Sequence, residues 1–284
     1  MSLWWGWLRV AAVATTVSLT AALSLPVAVA VAEPAQPAAA AAPQGPARAW
    51  LVADMVSGSI LGGNDAYGQY APASTIKALL AMVVFDQLPL DAAARATASN
   101  TDVECSCVGL VPGQIYTTRQ LLDALLMVSG NDAANMLADM VGGTPAAVAK
   151  MNAKAAAVGA RSTRAGSPSG LDGPGWESVT TPHDLAVIYR AALNYPLFPQ
   201  ILHQSAAAFP DGNGGFKQIA SHDPLLTSYP GFIGGKTGYT NLAKETYVAL
   251  AQRDGRRVIA VMMYGTDELW DQGRALLDWG FRLE

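Results

Sequence analysis

Three short stretches of this chain carry residue types that can do acyl-transfer chemistry: Ser74-Thr75-Ile76-Lys77, Ser129-Gly130-Asn131 and Lys236-Thr237-Gly238. A serine hydroxyl is a poor nucleophile near neutral pH and needs a base within hydrogen-bond reach. If a helix starts just after Pro72, Ser74 and Lys77 share one face with Cβ atoms about 5 to 6 Å apart, so the amine can take the hydroxyl proton. Lysine works as a base when its ammonium form is disfavoured by burial, by the positive end of a helix dipole or by a second cation. Lys77 in a first helical turn, with Lys236 brought near, meets all three conditions. The same helix start aims the Ser74 backbone N–H at a developing oxyanion.

Other chemistries find little support. No Gly-x-Ser-x-Gly elbow occurs, which argues against an α/β-hydrolase triad. Of the three histidines, His183 sits in Thr181-Pro182-His183-Asp184, where a helix start needs only capping. There is no His-Glu-x-x-His pattern, so neither a metal nor a cofactor is expected.

The elements that must position these residues can be read in order. Ala49 to Met55 and Ser59 to Leu61 read as two strands joined at Ser57-Gly58, and Gly62 to Tyr70 as a loop delivering the chain to Pro72. The Ser74 helix continues through Leu79, Leu80, Met82 and Val83 into core. From Leu88 to about Gln204 helical patterns dominate. Thr117 and Gln120 form a capping box before Leu121, Leu122, Leu125 and Leu126, and a second helix from Asp132 stops at Gly142-Gly143. Gly166 to Gly175 is too rich in turn residues for regular structure, and Gly-rich Asp211 to Gly215 reads as a further loop. Phe232 to Gly238, Thr246 to Gln252 and Val258 to Tyr264 then read as strands, the last two joined at Asp254-Gly255, and Asp267 to Phe281 as an amphipathic helix. Strands, helices, strands, helix imply an α+β fold: about five antiparallel strands drawn from both ends of the chain, flanked by helices, with a helical insertion between them.

The chain has 284 residues, 51% hydrophobic and 14% charged against a usual charged fraction of about 25%, so a well-buried core is feasible. Net charge is −4 with Lys and Arg scattered, which argues against a nucleic-acid partner. Val10 to Ala32 contain no charged residue, and small residues at Ala28, Ala30 and Ala32 suit a signal peptidase. Residues 1–32 therefore read as an export signal or an uncleaved membrane anchor, with Pro26 and the Thr/Ser content favouring cleavage. Residues 33–47 are an Ala/Pro-rich linker, and 48–284 form the working domain. Export makes an oxidising compartment the default. A bridge between Cys105 and Cys107 needs a bent backbone, because an extended three-residue segment separates its ends by roughly 7 Å; bridged and free thiols both stay open.

The ordered triple of motifs resembles the low-molecular-mass penicillin-binding proteins, specifically the D-alanyl-D-alanine carboxypeptidases of serine peptidase family S11. The resemblance runs from about Arg48 to Phe281 and includes Val128 to Ala134, Ser169 to Asp172, Gly234 to Thr240 and Asp278 to Arg282. It implies a β-lactamase/transpeptidase-like fold and a nucleophile, Ser74, that attacks the peptide bond between two terminal D-alanines with Lys77 as base. Ser129 would relay a proton to the leaving amine, and Asn131 would hold Lys77 and the substrate backbone. Lys236 and Thr237 would hold the terminal carboxylate, and the backbone N–H groups of Ser74 and Tyr239 would form the oxyanion hole. Implied partners are the stem peptide of peptidoglycan and β-lactams as covalent inhibitors, for an extracytoplasmic, monomeric enzyme of cell-wall biogenesis and cell shape.

In two places the chain departs from the family pattern. Many relatives carry His where Ser169 stands. Many also continue into a C-terminal β domain and an amphipathic anchor, whereas this chain ends at Glu284, so membrane attachment is expected to rest on the N-terminal segment. A β-lactamase of the same fold is the competing reading. It needs a glutamate to activate the deacylating water, and Glu177, followed by Ser178-Val179-Thr180-Thr181, lacks the context that positions one. A catalytically silent lactam- or wall-binding protein would need a broken motif, and none is broken.

Overall fold

The computed structural model describes residues 41–283; the expected export segment, and the linker as far as residue 40, lie outside them. In chain order the elements are β1 (Ala47–Asp54), β2 (Ile60–Asn64), a 3-10 turn (Ala73–Ile76), α1 (Lys77–Gln87), β3 (Ala93–Arg95), α2 (Ala98–Thr101), β4 (Ile115–Thr117), α3 (Thr118–Met127), α4 (Asn131–Met140), α5 (Thr144–Val158), α6 (Pro182–Ala192), α7 (Leu197–Leu202), β5 (Ala206–Pro210), β6 (Phe216–Ala220), α8 (Leu225–Ser228), β7 (Phe232–Thr240), β8 (Lys244–Arg253), β9 (Arg256–Gly265) and α9 (Trp270–Arg282).

Five strands make one antiparallel sheet in the order β2-β1-β9-β8-β7, so strands from opposite ends of the chain pair at its centre. Side chains alternate across the pleat. Leu51, Ile259, Val261 and Met263 enter the core shared with the helical layer, whereas Trp50, Val52, Ala260 and Met262 enter the core under α9. Burial on both faces explains why β8 and β9 are nearly continuous apolar runs instead of alternating ones. In the helical layer α1 is apolar all round and buried from Lys77 to Val84, packed against α3, α4, α5 and α6. Among the described residues no helix is long and apolar enough to cross a membrane.

The expected architecture is present, with three local differences. β2 runs to Asn64, which shortens the loop before Pro72. Two ribbons were not read from the sequence, β3-β4 inside the stretch read as helical and β5-β6 just after it, their strands of three and five residues being too short to stand out as alternation. Asp211 to Gly215 is the tip of β5-β6, where Asp211 Oδ1 accepts from the Asn213 and Gly215 N–H groups at 2.8 and 2.9 Å.

The capping box forms as read: Thr117 N–H donates to Gln120 Oε1 at 2.9 Å, and Gln120 N–H donates to Thr117 Oγ1 at 3.3 Å. Thr117→Ala removes the acceptor for an orphan N–H, and urea unfolding should show a loss of about 1 kcal/mol.

Candidate active site

Ser74 lies on the 3-10 turn Ala73–Ile76, and Lys77 is the first residue of α1. Side chains three apart in a 3-10 turn eclipse one another, so this turn aligns the pair more closely than the α-helix expected from the sequence. The turn is entered through Ala73 at φ +47, a left-handed conformation unusual for a residue with a Cβ. Its neighbours hold it there. Tyr189 Oη donates to Thr75 O at 2.9 Å, and Thr246 Oγ1 lies 3.0 Å from both Pro72 O and Gly238 O, joining the turn to β7.

Lys77 is fully buried, and its Nζ has three neighbours: Ser74 Oγ at 2.7 Å, Asn131 Oδ1 at 2.7 Å and Ser169 O at 2.8 Å. Burial, and then the charge of Lys236, hold its pKa well below the ordinary lysine value, against the opposing pull of the Asp132 carboxylate. A neutral amine has two N–H donors and one lone pair. The two carbonyl oxygens can only accept, so they take both donors and leave the lone pair facing the Ser74 hydroxyl.

Lys236, 3% exposed on β7, places Nζ 2.8 Å from Ser129 Oγ and 2.7 Å from Thr237 O. Burial lowers its pKa to about 7, and the Asp223 carboxylate limits the fall. Ser129, in the connection between α3 and α4, has φ +60. The second serine of the site thus also stands on strained backbone.

Asn131 begins α4 and is 3% exposed. Its Nδ2 donates to Glu104 O and its backbone N–H to Ser106 O, both at 2.7 Å. Ser106 lies inside, and Glu104 directly before, a turn closed by a Cys105–Cys107 disulfide, with the two Cα atoms 4.8 Å apart. The next residue, Asp132, gathers the following backbone: Oδ1 accepts from Val108 N–H at 3.0 Å, and Oδ2 from Gly109 and Leu110 N–H at 2.8 and 2.9 Å.

The backbone carbonyls that bond the site were not expected from the sequence. Ser169 reaches Lys77 through its carbonyl, so its identity where relatives carry His leaves that contact untouched. Gly170, at φ +85, permits this because a Cβ there would lie 2.0 Å from Ala73 O. Asp172 accepts from Thr240 Oγ1 at 2.7 Å and ties the same loop to the end of β7. Turn richness and the family resemblance of Ser169 to Asp172 were the signals for this loop, and neither says which carbonyl points inward.

All seven candidate residues converge. Ser74, Ser129, Asn131, Thr237 and Tyr239 line one cleft of about 300 Å³, with Lys77 and Lys236 bonded to its floor and wall. Tyr239 lines the cleft near the end of β7, with its side chain exposed. Glu177 accepts from Gly175 N–H within its own loop and is not among the residues lining the cleft.

The family model of D-alanyl-D-alanine carboxypeptidases, peptidase family S11, matches residues 36–267. The D-alanyl-D-alanine carboxypeptidase DacB2 of Mycobacterium tuberculosis is 54% identical over 246 residues, 85% of this chain and 84% of that protein. A crystal structure of a D-alanyl-D-alanine carboxypeptidase from M. tuberculosis superposes with a TM-score of 0.84 at 53% identity, covering 87% of this chain and 95% of that one. The Streptomyces K15 DD-transpeptidase superposes with a TM-score of 0.80 at 28% identity, covering 86% of this chain and all of its own.

The approach of β7 to the serine turn can be tested at Gly238, where a Cβ would lie 2.6 Å from Ser74 N and 2.7 Å from Thr246 Oγ1. Gly238→Ala should slow acylation by a fluorescent penicillin roughly a hundredfold, the scale of an ångström-sized misplacement. An unchanged acylation rate would show that strand and turn can separate without loss.

Proposed function

The chain belongs to the D-alanyl-D-alanine carboxypeptidases of peptidase family S11, serine-type hydrolases that work through an acyl-enzyme and are inhibited by β-lactams; on that premise we propose that Ser74 is the nucleophile and Lys77 its base. The observation that carries this assignment is the position of Lys77 Nζ, 2.7 Å from Ser74 Oγ with Asn131 Oδ1 and Ser169 O as its two obligate acceptors, so that in its neutral form the amine keeps its lone pair for the Ser74 hydroxyl. As Oγ attacks the carbonyl between the terminal D-alanines, its proton passes to Lys77 Nζ. The backbone N–H groups of Ser74 and Tyr239 receive the oxyanion.

Collapse of the tetrahedral intermediate needs a proton on the leaving amine. Ser129 Oγ, held 2.8 Å from Lys236 Nζ, is the relay we assign to that step. Lys236 and Thr237 bind the carboxylate of the departing D-alanine, and Asn131 binds the substrate backbone. Water then attacks the Ser74 ester and releases the shortened stem peptide. The direction along β7 follows, with the leaving group at Lys236 and the acyl donor towards Tyr239.

The substrate is peptidoglycan, which lies outside the cytoplasm. We further assign export to residues 1–32, a linker role to 33–47, whose last residue already opens β1, and catalysis to a monomeric domain from residue 48; trimming stem pentapeptides removes cross-linking donors, which bears on cell shape. The lactamase reading is disfavoured by Glu177, which lies away from the cleft lining.

Two experiments test this reading. A peptide ending in D-Ala-D-Ala should release free D-alanine, and labelling by fluorescent penicillin should stop in Ser74→Ala; label persisting there sinks the nucleophile assignment. The second concerns pH. Protonated Lys77 cannot accept the serine proton, so acylation should fail on the acid side. The Lys236 charge lowers the Lys77 pKa. In Lys236→Gln that pKa rises, and the acid limb of the acylation rate should move to higher pH; a limb that stays in place or moves down contradicts the coupling.

A further inference from the structure

We propose that the disulfide-closed turn Glu104–Cys107 positions the Asn131 amide for acylation, and that opening the Cys105–Cys107 bridge slows the reaction of Ser74. This rests on the assignment of Lys77 as base.

An asparagine amide has an accepting end and a donating end, and only one orientation serves Lys77. With Oδ1 toward Lys77 Nζ at 2.7 Å, Nδ2 must find an acceptor on the other side, and Glu104 O supplies it at 2.7 Å. Turned over, the amide would set its NH2 against the lysine N–H groups and its oxygen against the Glu104 carbonyl. The position of Glu104 O therefore selects the working orientation.

The covalent bridge helps to fix that position. Downstream of Cys107 the backbone is gripped by Asp132 through Val108, Gly109 and Leu110, and Lys217 Nζ donates to Val108 O at 2.6 Å. Upstream, Asp102 N–H closes α2 on Ala98 O. Between these anchors stands an exposed turn, whose carbonyls meet Asn131 and whose ends the disulfide draws to 4.8 Å between Cα atoms. Extended, the same three residues span roughly 7 Å, so an open bridge frees about 2 Å in the separation of Cys105 and Cys107, and a shift of that size passed to the adjoining Glu104 carbonyl exceeds hydrogen-bond tolerance. Cys105 is exposed and lines the cleft, within reach of a small reductant. A dithiol such as dithiothreitol opens the bridge by exchange: its two sulfurs join in a ring, and their two electrons and two protons end on Cys105 and Cys107 as thiols.

The test uses the whole chain, oxidised, reduced with dithiothreitol and reoxidised, alongside a Cys105→Ser/Cys107→Ser double variant. Acylation by a fluorescent penicillin is followed against pH. The groups facing Lys77 are Lys236 from β7 and Asp132 from α4, the cleft also holds Glu104 and Glu245, and reduction adds two thiols without removing any of these charges. Losing the amide oxygen removes an acceptor that favours the ammonium form, so the acid limb should move to lower pH while the rate falls about ten- to a hundredfold. Both effects should reverse on reoxidation. In Glu104→Gln the redox-dependent shift should persist, because the carbonyl and not the carboxylate carries it.

Reduced protein, with its two thiols verified by mass, that acylates at the oxidised rate overturns the proposal. So does a slower rate with an unmoved limb, which would mean general loosening. Should the double variant fail to fold, reduction of the folded protein decides. If Ser74→Ala still labels when oxidised, the underlying assignment of Ser74 and Lys77 fails instead, and the two failures are distinct.

Discussion

A buried amine with a fixed set of neighbours governs the rest of this cleft. Two of the atoms around Lys77 Nζ are carbonyl oxygens and the third is a hydroxyl, which can donate or accept. The cage therefore fits both protonation states. As an amine, Lys77 donates twice and accepts from Ser74; as an ammonium it donates three times to the same three atoms. A proton can cross the 2.7 Å between Oγ and Nζ without any heavy atom moving, which is the sense in which such a site is preorganised.

The second lysine makes this arrangement conditional. Lys77 and Lys236 sit in one poorly solvated region, and each proton bound by one raises the cost of a proton on the other. Asp132 and Asp223 oppose that repulsion from two sides. The Asp223 carboxyl is itself pushed up by burial, while it accepts from Leu225 N–H and Tyr247 Oη. Proton affinity here is a property of the four groups together, and a substrate carboxylate arriving beside Lys236 would shift all of them.

The sequence made the sheet and the capping box legible and pointed to seven candidate residues that the fold brings together, for identifiable reasons. Apolar runs with two-residue turns signal strands, and Thr117 with Gln120 signals a helix start whatever lies around it. The motif side chains stand out because acyl transfer needs a nucleophile, a base and donors of particular types. What stayed hidden is carried by groups that every residue possesses. The carbonyls of Ser169, Glu104 and Ser106 bond the site from loops whose composition says only that they turn. The ribbons β3-β4 and β5-β6 were lost for a related reason, being too short for their pairing partners to show in a pattern. The cysteine bridge depended on a backbone bend that spacing alone does not determine.

The pairing of β1 with β9 has a consequence for how the molecule is made. Ala47 to Asp54 leaves the ribosome long before Val258 to Gly265, its partner in the middle of the sheet. Until that late segment exists, β1 has only β2 beside it, and a two-stranded ribbon is marginal in water. Strand β7, which presses Gly238 against the serine turn, joins β1 only through β8 and β9. Such non-local closure folds slowly, because loop entropy is lost before the contacts reward it. The helical layer can assemble early from nearby segments, but the reactive serine acquires its surroundings only when the last strand arrives, so a nascent chain is held inert by its own topology.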